Sequence, residues 1–273
     1  MNRTLFRASF SRALLLASAS ALIAPVSALT PLPPTRVTDA EALRLLRDAY
    51  SEKVKLKGEW TASAEYIAAN TLQATREVCL DSGADRAGPR YLAVCTSFSE
   101  AAHADGGMVD LWILFDARGA GDKPRIGASQ RDIQTGGWGS PGPVSFIEIG
   151  PGRIAYALAS GYTQMGWTTS SVTVHHAEYD RFAEMLTVST SLSNSGACDP
   201  ETDRGCMRDS IDLDCALRVD RKRYHNGFHT LVVDVRGQRG GRKVERSIPI
   251  PYKNGAYQVP SAKLKRDGCN EGF

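Results

Sequence analysis

Six cysteines carry the most definite chemistry in this 273-residue sequence: Cys79, Cys95, Cys198, Cys206, Cys215 and Cys269. An even number suits disulfides formed in an oxidising compartment. Six cysteines allow 15 pairings. The short loops favour Cys79 with Cys95 and Cys198 with Cys206, and Cys215 with Cys269 remains. In the chain-entropy account the first loop is worth about 3 kcal/mol and the last about 4. A zinc site is disfavoured, because no C-x-x-C pair occurs and no histidine lies close to a cysteine.

Other residues with metal or acid–base potential are scattered. His175 and His176 are adjacent, so in a strand they point to opposite faces. His225 and His229 have a helical i, i+4 spacing, but Asn226-Gly227 between them is a hairpin signal. The stretch from Asp199 to Asp214 holds six acids against Arg204 and Arg208, a net of −4. Asp199, Glu201 and Asp203 are its calcium candidates, since calcium takes carboxylate and carbonyl oxygens. Their spacing does not match D-x-[DN]-x-[DN]-G, and Asp212 and Asp214 also fit the wet face of a strand. No metal and no cofactor is therefore expected. A serine–histidine–acid set need not be close in sequence, and nothing in the order of residues marks one.

Two surfaces are candidates for binding. The first is Gly136-Gly137-Trp138-Gly139-Ser140-Pro141-Gly142. Ser-Pro-Gly predicts a type II turn with Pro141 and Gly142 at its centre. Trp138 among glycines would make a platform for a sugar ring or peptide, and Met165-Gly166-Trp167 would extend it. The alternative for both tryptophans is core packing. The segment lacks the Gly-Lys-Ser/Thr of a phosphate loop and the G-x-S-x-G of a nucleophile elbow. The second surface is basic. Residues 216–266 hold 13 Lys+Arg against three acids. Arg236, Arg239, Arg242, Lys243 and Arg246 surround Gly240-Gly241, a predicted hairpin tip. Such a patch attracts polyanions such as an anionic envelope glycan. Its plainer readings are pairing within the chain or a charged edge that blocks aggregation.

These residues need a frame, and the pattern predicts a mostly antiparallel β one. Thr38 and Glu41 form a capping box, and Ala42, Leu45, Leu46 and Ala49 follow at helical spacing. A helix over about 39–50 follows from this. Residues 60–80 read both ways, with strand favoured in the second half. From Arg90 onward short apolar or alternating runs dominate: 91–98, 109–115, 144–149, 154–158, 172–174, 186–192, 211–217 and 231–235. Gly150-Pro151-Gly152 punctuates one hairpin. No helical pattern separates the runs, so the expected fold is an antiparallel sandwich or open barrel, disulfide-braced, with one N-terminal helix.

The N-terminus reads as a secretory signal over residues 1–28. Arg3, Arg7 and Arg12 precede a 12-residue apolar stretch, Ala13 to Ala24, and Val26-Ser27-Ala28 suits signal peptidase. A membrane span needs about 20 apolar residues. Pro31-Leu32-Pro33-Pro34 lies in a linker, 29–38, before a β-rich domain over 39–273, with a subdivision near 197–215 as the alternative. Cleavage removes three arginines from 33 Lys+Arg, leaving 30 against 30 Asp+Glu, so the basic balance belongs to the signal. The expectation is a periplasmic or secreted bacterial envelope protein, a non-enzymatic binding or accessory module partnered by an anionic glycan or another envelope protein. An exported hydrolase with its site in a loop cleft is the alternative.

Overall fold

Helix α1 (Asp39–Tyr50) forms because both halves of the capping box are made. Thr38 N–H donates to Glu41 Oε2 at 2.8 Å, and Glu41 N–H donates to Thr38 Oγ1 at 3.3 Å. Its stripe of Ala42, Leu45, Leu46 and Tyr50 is buried on one face of a five-stranded sheet. The computed structural model describes residues 36–117, 122–198 and 205–270. The signal segment, most of the linker, and Asp199, Glu201 and Asp203 lie outside them.

The first sheet runs β1 (Trp60–Thr61), β2 (Ala74–Asp81), β3 (Arg90–Phe98), β4 (Gly107–Phe115) and β5 (Arg125–Thr135), all antiparallel. The ambiguous 60–80 stretch holds both kinds of element. Ala64–Asn70 is a short helix, α2, with Ser63 Oγ accepting from Tyr66 N–H, and the second half is β2. β3 and β4 are buried on both faces, which is why they read as nearly continuous apolar runs. Leu92, Val94, Trp112 and Leu114 meet α1. Ala93, Val109, Leu111 and Ile113 face a second sheet, where Tyr156, Leu158 and Phe182 meet them.

That second sheet is an antiparallel meander of seven strands: β6 (Val144–Gly150), β7 (Arg153–Gln164), β8 (Trp167–Glu178), β9 (Arg181–Ser193), β10 (Ile211–His225), β11 (Phe228–Arg239) and β12 (Arg242–Ile250). It curls until β6 approaches the β10–β11 hairpin, where Arg221 pairs with Glu148 at 2.9 Å. β9 and β10 pair over only three residues, 191–193 with 212–214. The C-terminal segment supports this junction. It comprises a two-strand ribbon, β13 (Tyr252–Lys253) with β14 (Ala256–Tyr257), and helix α3 (Ser261–Asp267). Leu264 of α3 is buried with Leu213, Leu231 and Val233, and Ser189 N–H donates to Asn270 Oδ1 at 3.2 Å.

The three disulfides are Cys79–Cys95, Cys198–Cys206 and Cys215–Cys269, as loop length suggested. The first ties β2 to β3, and the last ties the segment after α3 to β10. The described residues are 57% strand and 12% helix, so the fold is mainly β and antiparallel. Pro34–Phe273 is one compact unit. Among the described residues no helix is long and apolar enough to cross a membrane.

Candidate functional site

The Gly-rich loop connects β5 to β6, and its turn falls three residues earlier than Ser-Pro-Gly predicts. Gly142 has no left-handed backbone, so the type II turn does not form there. The tight turn is Gly137-Trp138-Gly139-Ser140. Gly137 N–H donates to Ser140 O at 3.1 Å and Ser140 N–H to Gly137 O at 3.0 Å. Trp138 (φ 54°) and Gly139 (φ 73°) both have positive φ, the signature of type I′. The loop is stitched to the β3–β4 connection: Phe98 N–H donates to Gly139 O at 2.8 Å and Gly139 N–H to Asp105 O at 2.7 Å. A side chain at Gly139 would strike the Phe98 carbonyl, which explains the glycine.

Trp138 is 68% exposed, so core packing does not account for it. The His103 ring meets it edge-on at 4.7 Å between centroids. A tryptophan at a left-handed position costs backbone strain, on the order of 1–3 kcal/mol, and such strain gathers at functional sites. The β7–β8 hairpin repeats the pattern. Gln164 pairs with Trp167, and between them Met165 (φ 50°) and Gly166 (φ 79°) form another type I′ turn. Met165 is 87% exposed at its tip. Trp167 is half-buried and packs on the second core, so its plainer reading holds in part.

The loop and the hairpin flank a cleft of adjoining hollows. One, of about 480 Å³, is lined by His103, Gln134, Ser160, Tyr162 and Gln164 among others. The next, about 230 Å³, lies between Trp138 and the hairpin residues Tyr162, Thr163 and Ser170. A third, about 340 Å³, is formed by Tyr162, Gln164, Met165 and Trp167. Tyr162 lines all three. The first of these, at about 480 Å³, lies in the usual small-molecule range, roughly 300–1,000 Å³. Among the described residues, no Lys, Arg, Asp or Glu lines any of them. His103 and Ser160 share the first hollow, but no hydrogen bond joins them. Ser160 Oγ instead accepts from Gly136 N–H at 3.2 Å.

The remaining sequence candidates are dispersed. His175 is buried on the face of β8 opposite His176, and burial pushes its pKa down. Its Nδ1 has no partner. His176 Nδ1 contacts Ile154 O at 3.0 Å, and burial lowers its pKa also. His225 ends β10 and His229 lies in β11 across the Asn226-Gly227 turn, so they have no helical relation. Asp212 and Asp214 are exposed and alternate with buried Ile211, Leu213 and Cys215, which makes them the wet face of β10. No group of three or more metal-ligating side chains occurs among the described residues.

The basic hairpin is β11–β12, turning at Gly240-Gly241 as expected. Its charges are interleaved with acids. Arg236 sits in register between Asp214 and Glu245, and Lys243 pairs with Glu245 at 3.1 Å. Arg218 pairs with Asp234, which also accepts from Ser247 Oγ at 2.5 Å. Arg239 Nη2 donates to Gly268 O at 3.0 Å and so holds the C-terminal segment. Arg242 and Lys243 are exposed at the tip.

A buried polar network on the α1 side of the first sheet was missed by sequence reasoning. Arg76 Nη1 and Glu52 Oε1 are 2.5 Å apart, with side chains only 1% and 4% exposed. Glu52 also accepts from Trp60 Nε1 and Ser63 N–H, both at 2.8 Å. The Arg76 guanidinium lies 4.0 Å from the Tyr66 ring and 4.8 Å from that of Tyr50. Beside it Asp110 accepts from Tyr50 Oη at 2.6 Å and from Asp132 N–H at 2.7 Å. Burial, above all, pushes the Asp110 carboxyl up and the Tyr50 phenol far up. Most of its partners are one another, which braces α1 and α2 against the sheet, although Arg76 Nη2 is buried without a partner among the described residues and Glu52, Trp60 and Ser63 also line a hollow of about 550 Å³. No family model, curated protein or solved structure matches the chain, so its function is argued from these residues alone.

Proposed function

We propose that the chain is a non-enzymatic binding module exported to a bacterial envelope, and that it engages its partner through the Trp138–Tyr162 cleft. One observation carries the reading. Two connections on different parts of the chain each place a large apolar residue, Trp138 and Met165, at a left-handed turn position in solvent, each beside a hollow that Tyr162 also lines. Neither residue stabilises a core there, so contact with a partner is the use that explains both. The export reading is supported by the signal-like residues 1–28 and by three disulfides, which persist in oxidising compartments. The mature chain then starts at Leu29.

The test is co-sedimentation with envelope fractions from bacterial cells. The protein is expected to be retained, and Trp138→Ala and Tyr162→Ala to release it while melting as the parent does. Equal retention of all three proteins would refute the cleft as the contact surface. The hydrolase reading rests on His103 and Ser160 sharing the cleft. It predicts instead that His103→Ala abolishes release of a soluble product from the same fraction.

A further inference from the structure

Resting on that reading, we infer that the cleft takes a neutral oligosaccharide. The lining combines the two things a sugar ring needs. Aromatic faces, Trp138 and Tyr162, meet the ring's C–H surface, and short hydroxyls and amides meet its hydroxyl groups. The Gln134 and Gln164 amides and the Tyr162 hydroxyl have no hydrogen-bond partner among the described residues, so their donors and acceptors face the cleft or solvent. Among the described residues the lining holds no Lys, Arg, Asp or Glu, which argues against an anionic or cationic ligand, since its charge would be left uncompensated on entry. A chain of sugars fits better than a single one, because the first two hollows share His103, Gly161, Tyr162 and Thr163 in their linings. The platform is also preset. His103 buttresses Trp138 from one side, and the type I′ turn and its hydrogen bonds to residues 98–105 fix its backbone. A rigid aromatic anchor loses little freedom on binding.

This departs from the anionic glycan expected from the basic hairpin. The cleft and that hairpin are separate parts of the chain, and salt distinguishes them. The protein is titrated with tetramers of N-acetylglucosamine, of β-1,4-linked glucose and of α-1,4-linked glucose, followed by calorimetry and tryptophan fluorescence. At least one tetramer is expected to bind with Kd of about 1 mM or tighter. Trp138→Ala should weaken it about tenfold or more, as loss of an anchoring aromatic does. Trp138→Phe, which keeps a ring, should retain most of the affinity. Raising salt from about 0.05 to 0.5 M should leave Kd unchanged, since no charge pair is screened. Tyr162→Ala serves as the second variant if Trp138→Ala melts early. The inference is overturned if no tetramer binds, if both aromatic variants bind as the parent does, or if binding collapses with salt. Trp138-dependent retention on envelope fractions without binding of any tetramer would remove the oligosaccharide and keep the binding module. Loss of Trp138 dependence in both assays would remove both.

Discussion

Replacing Arg76 with methionine tests the account of the buried network. The change keeps an unbranched stem but deletes the guanidinium that faces Glu52 at 2.5 Å. Glu52, with a side chain 4% exposed, would then hold its carboxylate with only the Trp60 indole and the Ser63 amide as donors. Orphaning one partner of a buried pair costs about 3–5 kcal/mol. The contacts of the guanidinium with the Tyr50 and Tyr66 rings are lost as well. In a domain of this size each kcal/mol shifts Tm by about 2–4 °C, so the expected fall is roughly 6–20 °C. Thermal and urea unfolding of the intact-disulfide protein measure it. Adding Glu52→Gln to the Arg76→Met variant should recover part of the loss, because the orphaned charge is gone. A loss under about 1 kcal/mol, or a double variant less stable than Arg76→Met alone, would refute the reasoning.

Further expectations concern compartment, pH and the basic hairpin. Exported protein should have an intact mass starting at Leu29 and no titratable thiol before reduction, and two or more free thiols would contradict it. Asp110 has a raised pKa in the folded state, so its contribution is fullest below its ordinary value and is lost as pH rises through the raised one. Thermal melts stepped upward from about pH 4, the ordinary carboxylate value, should therefore show the parent losing stability relative to Asp110→Asn. The opposite trend would contradict the burial argument. Arg239→Glu should destabilise the protein by about 1–3 kcal/mol, because the Gly268 carbonyl loses its charged donor. Arg242→Glu, at the exposed tip, should change it by less than about 0.5 kcal/mol. Urea midpoints for the two variants separate these.

Much of the frame was legible because its signals are local. The Thr38–Glu41 box fixed α1 to the residue, and Asn226-Gly227 and Gly240-Gly241 marked their hairpins. The cysteine pairs followed from loop length. Local signals failed where a distant partner decides the outcome. Asp110 sits inside an apolar run and reads as a strand residue, and its partners come from elsewhere in the chain: Tyr50 of α1 and the β5 bulge at Arg131 and Asp132. Arg76 and Glu52 are 24 residues apart, and Arg76 lies in the 60–80 stretch that read ambiguously. Ser-Pro-Gly is a fair turn signal, but hydrogen bonds from Phe98 and to Asp105 place the turn around Trp138 instead. The glycines around Trp138 and the Met-Gly pair marked two turns and were read as one surface, but Tyr162, which lines all three hollows, was not among the candidates.

The cleft can be tested directly by the indole signals of the four tryptophans. Trp60 and Trp112 are buried in the first core, Trp167 is half-buried, and Trp138 stands in solvent. In a heteronuclear NMR titration of the labelled protein with solubilised envelope material, the Trp138 indole and the amides of residues 160–170 should shift together. The indoles of Trp60 and Trp112 and the amides of residues 236–246 should stay in place. Shifts confined to residues 236–246, with the Trp138 indole unmoved, would contradict the account and place binding on the basic hairpin.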